Sequence, residues 1–495
     1  MTRPVSSAVQ FVLDGDVVRI DDPAPTRSVL QYLREDLVRC GTKEGCAEGD
    51  CGACTVVVAE LDSSSSKLSY KAVNACIQFL PTLHGKALFT VESVSAAGTP
   101  LHPVQQAMVD HHSSQCGFCT PGFVMSLYAQ YQTNEPMDRR HVDEALSGNL
   151  CRCTGYRPII DAAAAMYDYP PPSDDLTKRT IAALTQLQTA PAATITTPDQ
   201  EYAAPDTLTE LATLIEENPH ATLLAGGTDT GLWVTKQHRH LPYVIALHGV
   251  PELRLIEEHP DRLEIGAAAS LSDAMPAIIS AYPELEELMI RFASLPIRNA
   301  ATLGGNIANG SPIGDSIPAL IALDAHLTLR KGQTTRELAL QDFYLAYQST
   351  DLQPGEFVEK ILLPKKQANQ RVGAYKLSKR FDQDISAVCA VFSIVLSDDG
   401  QTIENARVAF GGMAAIPKRA SHCEAALTGA AWQAHTIDAA IQALQLDFQP
   451  ISDMRASAEY RIATAGNLLR RFFLNETATA EPSKASGTSV YTYGR

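Results

Sequence analysis

The chain has 495 residues, which at ~100–200 residues per domain calls for roughly three or four domains. Apolar residues make up 45% and charged residues 19%, a balance that suits several buried cores and fits poorly with extended disorder or a coiled coil. Forty Lys and Arg against 56 Asp and Glu leave a formal charge of −16, which argues against unspecific binding to nucleic acid or to an anionic membrane. No apolar run reaches the ~18 residues of a bilayer crossing, and Met1–Asp14 lacks the basic-then-apolar pattern of a secretory signal, so a cytoplasmic location is expected.

In chain order, Phe11, Val12 and Leu13 turning at Gly15 and returning through Val17, Val18 and Ile20 read as a hairpin. Ser28–Leu37 reads as a helix with Val29, Leu30, Leu33 and Leu37 on one apolar stripe, followed by a Gly/Cys loop and a strand at Thr55–Ala59. Helical text covers Val104–His111, Gly122–Tyr131, Val142–Leu146 and Pro158–Tyr167. Residues 169–200 read as a linker, with one helix near Leu176–Leu187. Beyond it lie a helix at Leu208–Glu217 and strands at Ala221–Leu224, Tyr243–Leu247, Leu263–Ile265 and Leu327–Leu329. Ala387–Leu396 and Ala406–Phe410 then read as sheet strands, and Ile437–Leu446 as a surface helix. The expected division is 1–95, 96–168, the linker 169–200, 201–368, 369–475 and a loose polar tail at 476–495.

Of the eleven cysteines, nine lie in the first 153 residues. Without a secretory signal, metal ligation explains that crowding better than a disulfide scaffold. Cys46, Cys51, Cys54 and Cys76 are spaced C-x4-C-x2-C-x21-C, and the first three match plant-type [2Fe–2S] spacing. Glycines at 41, 45, 49 and 52 let the backbone close around a cluster. A zinc site is the competing reading. Cys40 falls outside the pattern and is expected as a buried or partly buried thiol; His84 and His102 are expected as packing residues.

Cys116, Cys119, Cys151 and Cys153 are spaced C-x2-C-x31-C-x1-C. A one-residue gap swings side chains by about 200° on a helix, so the last pair is expected on an irregular turn between Gly148 and Gly155. The first pair sits just before a helix start at Thr120–Pro121, whose dipole favours anionic ligands. A second two-iron cluster is the simplest reading, with two redox disulfides as the rival. Two one-electron centres in one chain imply a relay with a terminus at each end.

Ala225–Thr230 (AGGTDT) follows a strand but has neither the G-x-G-x-x-G spacing nor the lysine of a P-loop. Alone it is as consistent with a tight turn as with a diphosphate site. A second Gly-rich segment, RNAATLGGNIAN (Arg298–Asn309) with SPIGDS (Ser311–Ser316), lies some 75 residues on, and a flavin dinucleotide fits between two such turns. Asp315 is a candidate acceptor for a ribose or ring edge. Phe343 and Tyr344 read either as core or as a flavin cover. No Ser/His/Asp set supports hydrolysis, and His238 and His240 are expected to face solvent.

The stretches GTKEGCAEGDCGACTVVV (Gly41–Val58), VNAC (Val73–Cys76), LHPVQ (Leu101–Gln105), SQCGFCTPGFVMS (Ser114–Ser126) and GNLCRCTGYRPI (Gly148–Ile159) resemble the iron–sulfur domains of xanthine dehydrogenases, members of the molybdenum hydroxylase family. LLAGGTD (Leu223–Asp229), ATLGGNIAN (Ala301–Asn309) and FGGMA (Phe410–Ala414) resemble that family's FAD domain and the domain after it. The resemblance implies a multidomain α+β fold. Its parts are a β-grasp ferredoxin-like domain, a helical [2Fe–2S] domain, an FAD-binding domain of the vanillyl-alcohol-oxidase type and a C-terminal flavoprotein domain. It also implies two [2Fe–2S] clusters, the outer on Cys46, Cys51, Cys54 and Cys76, nearer FAD, and the inner on Cys116, Cys119, Cys151 and Cys153, nearer a molybdenum cofactor whose pterin touches Gln115. FAD would take Leu224, Ala225, Gly226, Gly227, Thr228, Asp229 and Thr230. Across the cleft it would take Ala301, Thr302, Gly304, Gly305 and Asn306, with Asp315, Tyr344 and Lys376 nearby and Asp384 on the flavin or nicotinamide side. No residue of this chain is a certain catalytic group. The same resemblance implies the small subunit of a split enzyme. A molybdenum-cofactor-binding large subunit in an α2β2 heterotetramer would oxidise hypoxanthine or xanthine to urate, and electrons would run through the clusters and FAD to NAD+. The electron-transfer part of an aldehyde, carbon monoxide or N-heterocycle dehydrogenase is the alternative. A zinc-bound structural adaptor is the non-enzymatic one.

Overall fold

The structure is a computed structural model and describes residues 7–62, 67–95, 99–134, 137–381 and 383–477. Five strands, β1 (Ala8–Leu13), β2 (Asp16–Asp21), β3 (Thr55–Leu61), β4 (Leu68–Asn74) and β5 (Ala87–Phe89), form the first sheet in the order β2-β1-β5-β3-β4. The β1–β2 hairpin closes tightly because Asp14 and Gly15 both take positive φ, 56° and 83°. Only β1 and β5 run parallel.

The segment at Ser28 starts with a capping box: Gln31 N donates to Ser28 Oγ (3.1 Å) and Ser28 N to Gln31 Oε1 (3.0 Å). The expected regular helix to Leu37 does not follow. Val29–Gln31 leads into a π turn at Tyr32–Asp36, in which Leu37 N bonds Tyr32 O. The wider turn rotates Leu37 off the apolar stripe and leaves it exposed, while Val29, Leu30 and Leu33 are buried.

Helices Pro103–Asp110, Thr120–Thr133, Arg139–Leu146 and Arg157–Ala165 bundle around Val104, Phe123, Leu127, Val142 and Ile159. The stretch 169–200 is more ordered than a linker. Its helix, Asp175–Leu187, seats Ala183, Leu184 and Leu187 against Val12, Val57 and Phe89 of the first sheet. Its last part supplies β6 (Thr194–Thr196) to a second sheet with β7 (Glu201–Ala203), β8 (Thr222–Leu224) and β9 (Tyr243–Ala246), ordered β6-β7-β9-β8.

An antiparallel third sheet runs β10-β11-β16-β12-β13, from β10 (Ile256–Glu258), β11 (Arg262–Gly266), β12 (His326–Lys331), β13 (Thr334–Ala339) and β16 (Phe357–Pro364). A short hairpin, β14 (Tyr344–Ala346) and β15 (Ser349–Thr350), stands apart from it. The C-terminal sheet is β17 (Gln370–Leu377), β18 (Val388–Leu396), β19 (Ile403–Gly411) and β20 (Lys418–Arg419). Helices Ser421–Leu427, Ala434–Asp447 and Ala458–Thr477 cover it through a core that includes Phe392, Phe410, Ile437, Leu444 and Phe472. The tail expected to be loose begins inside that last helix; residues 478–495 lie outside the described residues. Among the described residues no helix is long and apolar enough to cross a membrane.

The first and second sheets share one core. Val9, Leu30, Cys54, Cys76 and Ile77 pack with Tyr202, Leu224, Val244 and Ala246. A cysteine site on one unit and a glycine loop on the other are therefore joined by continuous packing.

Candidate functional site: two thiol quartets and a dinucleotide cleft

The loop between the π turn and β3 coils because Ala47, Gly49 and Gly52 take positive φ. Cys46 and Cys51 face each other across it. Cys46 N donates to Cys51 Sγ (3.3 Å), while Asp50 N (3.4 Å) and Cys51 N (3.3 Å) donate to Cys46 Sγ. Cys54, at the foot of β3, meets Cys76, in the turn after β4; both are buried. The thiols thus stand two and two, which is what a pair of irons bridged by sulfides requires. A Cβ on Gly45 would lie 2.7 Å from Cys51 Sγ, so only glycine fits beside that ligand. The Cys51 thiol donates to Cys46, and with backbone N–H groups it holds Cys46 down at about 5, poised as thiolate.

The second quartet is built differently. Cys119 is the residue before the Thr120–Thr133 helix, Gly117 turns at φ 82°, and Cys151 and Cys153 lie on the irregular turn before Tyr156 (φ 68°). Cys116 neighbours Cys153, and Cys119 neighbours Cys151. Cys151 Sγ accepts from Thr154 N (3.5 Å) and lies 3.2 Å from Thr154 Oγ1, while Cys151 N donates to Tyr156 Oη (2.9 Å). Cys116 and Cys153 are exposed, with Gln115 and Phe118 on the same rim. The first quartet is closed into the fold at Cys54 and Cys76 and half-buried at Cys46 and Cys51; the second is half-buried at Cys119 and Cys151 and opens on the surface at Cys116 and Cys153. All eleven cysteines are free thiols, and Cys40, expected buried or partly buried, is exposed on the loop after the π turn.

The two cysteine loops are stitched together. Leu150 N, next to Cys151, donates to Cys51 O (3.0 Å). Asn149 Nδ2 donates to Gly52 O (3.1 Å) and Thr55 Oγ1 (3.3 Å), and Ser126 Oγ donates to Asn149 Oδ1 (2.6 Å). A Cβ on Gly52 would lie 2.1 Å from Gly148 O, and one on Gly122 2.1 Å from Gly52 O. Spacing motifs marked the two cysteine quartets but not this seam, whose residues meet only in the fold.

A cleft of about 640 Å³ opens between the second and third sheets, a volume in the range of cofactor sites. Ala225, Gly226, Gly227, Thr228, Asp229 and Thr230 form one wall. Ala301, Thr302, Gly304, Gly305 and Asn306 form the other. The loops interlock: a Cβ on Gly226 would lie 1.9 Å from Ala300 O, and one on Gly304 2.4 Å from Ala267 Cβ. Among the described residues, no protein acceptor faces the backbone N–H groups of Gly226, Gly227, Thr228 and Asp229. Such a row of donors suits the oxygens of a diphosphate.

Five candidates sit away from the cleft wall. Leu224 is buried behind it in the shared core. Tyr344 is buried under Gly310 and donates from Oη to Ile307 O (3.1 Å). Asp315 and Lys376 form a buried ion pair (2.5 Å), with Ser386 Oγ donating to the same carboxylate (2.6 Å). Asp384 accepts from Arg380 N (2.9 Å). Sequence reasoning passed over Trp233 and Arg239, which line the cleft. Trp233 Nε1 donates to Asp229 Oδ2 (3.0 Å), and the Arg239 guanidinium lies 5.0 Å above the indole. The usable signal was a rare Trp four residues after Asp229 on one helical turn. His238 and His240 are exposed. His84 and His102 accept backbone N–H groups as packing and capping residues.

Comparison with known proteins matches these parts in order. Residues 11–80 match the 2Fe-2S iron-sulfur cluster binding domain and 90–164 the [2Fe-2S] binding domain. Residues 196–366 match the FAD binding domain in molybdopterin dehydrogenase, and 373–476 the CO dehydrogenase flavoprotein C-terminal domain. A solved chain of carbon monoxide dehydrogenase from Hydrogenophaga pseudoflava is 30% identical, with TM-score 0.52 over 56% of this chain and 96% of its own. The chain belongs to the molybdenum hydroxylase family. Within that family it is 35% identical over 464 residues to xanthine dehydrogenase of Drosophila pseudoobscura pseudoobscura, covering 83% of this chain and 34% of that one. It is 31% identical over 530 residues to aldehyde oxidase 2 of Cavia porcellus, covering 95% and 40%. The chain spans about a third of the length of the first of these relatives. It is an iron–sulfur and FAD-binding electron-transfer component of a molybdenum hydroxylase, with a place for two clusters and one flavin.

Proposed function

We propose that the chain is the relay subunit of a split xanthine dehydrogenase, taking electrons from a molybdenum subunit that oxidises hypoxanthine or xanthine and delivering them to NAD+. The observation that supports the relay is the joining of two thiol quartets through the Leu150–Cys51 backbone bond, with the closed quartet packed on the cleft wall. When bound, the clusters pass electrons singly and the flavin collects two for a hydride acceptor. The chain's own part is placement. The exposed rim of Gln115, Cys116, Phe118 and Cys153 receives the partner and its pterin, in an α2β2 assembly. Gly226–Asp229 hold the diphosphate. The wider reading, the same relay for an aldehyde, carbon monoxide or N-heterocycle donor, is supported more strongly, because the similar proteins include a carbon monoxide dehydrogenase chain covered to 96% and an aldehyde oxidase as well as xanthine dehydrogenases.

Purified with its partner under air protection, the complex is expected to hold about four irons, four acid-labile sulfides and one flavin per relay chain. Steady-state assays with hypoxanthine, xanthine and aldehydes, each against NAD+ or O2, separate the donors. Zinc without flavin overturns the relay; turnover of aldehydes alone overturns only the purine.

A further inference from the structure

Ile77 is the residue after Cys76, the last ligand of the closed quartet. It is buried at 4% exposure in the core shared by the two sheets. Its side chain fills the space beside the loop of Cys46 and Cys51: a Cβ on Gly49 would lie 2.6 Å from Ile77 Cδ1. Its backbone meets the cleft loop from the other side. A Cβ on Gly231 would lie 2.6 Å from Ile77 O, 2.7 Å from Ile77 Cβ and 3.1 Å from Ile77 Cα. Gly227, whose N–H faces the cleft, is in reach of the same carbonyl, 3.7 Å from its Cβ position. Gly231 itself is not on the cleft wall. Two of the three atoms facing it are main chain, so no rotamer change makes room for a methyl group.

We infer that the Ile77–Gly231 contact is the positioning element between the outer cluster and the flavin: the residue bonded to Cys76 packs main chain to main chain on the helical turn that follows the diphosphate loop, and this packing fixes their separation. The inference rests on the relay reading. With both groups bound, the cluster would supply one-electron carriage and the flavin two-electron storage. Ile77 and Gly231 take no proton and form no bond; they hold distance, and rates of this kind fall steeply when reacting centres are displaced by about 1 Å.

The test uses the full chain loaded with both clusters and flavin. Gly231→Ala and Ile77→Ala are compared with the unsubstituted chain for iron and flavin content, the paramagnetic spectra of both clusters, their midpoint potentials, amide exchange across residues 226–232, and flavin–cluster electron equilibration after flash photoreduction. The expected result for Gly231→Ala is full content, unchanged spectra and potentials, faster exchange across 226–232, and equilibration slowed about tenfold. Equilibration at the unsubstituted rate with full cofactor content overturns the inference. If Gly231→Ala sheds its flavin, Ile77→Ala decides: slowed equilibration supports the contact and an unchanged rate overturns it. An unsubstituted chain that holds no iron or no flavin overturns the relay reading itself, which separates the two failures.

Discussion

Asn149 spends its whole side chain on the seam between the cysteine loops. Its amide donates to the loop of Cys51 and its carbonyl is capped by Ser126, all at 3% exposure. Truncation to Ala leaves the Ser126 hydroxyl buried without its acceptor, while Gly52 O keeps Thr55 N and Thr55 Oγ1, a cost of about 1–3 kcal/mol. Asn149→Ala is therefore expected to lower the denaturant midpoint at which visible cluster absorption is lost; an unchanged midpoint means the seam is held by the glycine contacts alone. Cys116 tests the other end. Cys116→Ser is expected to empty the open quartet and slow flavin reduction by substrate, while NADH oxidation by an artificial dye survives. Equal loss of both activities in a flavin-replete variant counts against that order of centres. Cys389, wholly buried in β18, belongs to neither quartet, and its substitution should spare both.

Among the elements, the Asp175–Leu187 helix shows how packing recruits a stretch whose flanks look like spacer. Leu184 is 2% exposed against the first sheet. Leu184→Ala is expected to cost about 2–5 kcal/mol, read as an earlier loss of the iron signal on heating while flavin fluorescence stays bound. Simultaneous loss of both signals would show that the shared core makes the units melt together. The π turn at Tyr32–Asp36 belongs to the same scale. Residue types there suit a plain helix, and only the need to send the chain out toward Gly41 and the cysteine loop widens it.

Across the whole molecule, charged side chains lock the units. Arg298, 1% exposed in the second glycine segment, donates to Ile290 O and Ala293 O (2.7 Å each) and to Glu144 of the helical unit (2.8 Å). Gln383 donates to Ser147 O, and Leu295 N to Ser147 Oγ (3.2 Å). On the opposite seam, Glu60 of β3 pairs with Lys86 (2.9 Å) and with Arg254 of the FAD-binding unit (3.0 Å), beside a second cleft of about 490 Å³. The Lys86 charge first, then Arg254, holds the Glu60 carboxyl well below the usual carboxylate range, against the opposing effect of burial. A depressed folded-state pKa means that the stabilisation is present above the unfolded value of about 4.3 and is lost as pH falls below it. Glu60→Gln should therefore flatten the acid limb of the stability curve below about pH 4.3 and leave its slope near neutrality unchanged; an unaltered acid limb would show the pair contributes nothing to holding the seam.

The eight thiols that gather into two quartets and both glycine loops were legible because a shared site and close backbone approach restrict residue type locally: Cys at fixed spacing, Gly where a Cβ has no room. Helix Leu208–Glu217 was legible for the same local reason, a cap and one apolar face. The fold alone placed Asp315 on Lys376 rather than on the cleft wall, sank Tyr344 under Gly310, and turned Leu37 and Cys40 outward. It also brought Ile77 against Gly231 and Leu150 against Cys51, partners about 150 and 100 residues apart that no local pattern connects. Local chemistry determined which groups are held; long-range packing decided how far apart they stand, because that distance depends on residues that share no sequence period with the ligands.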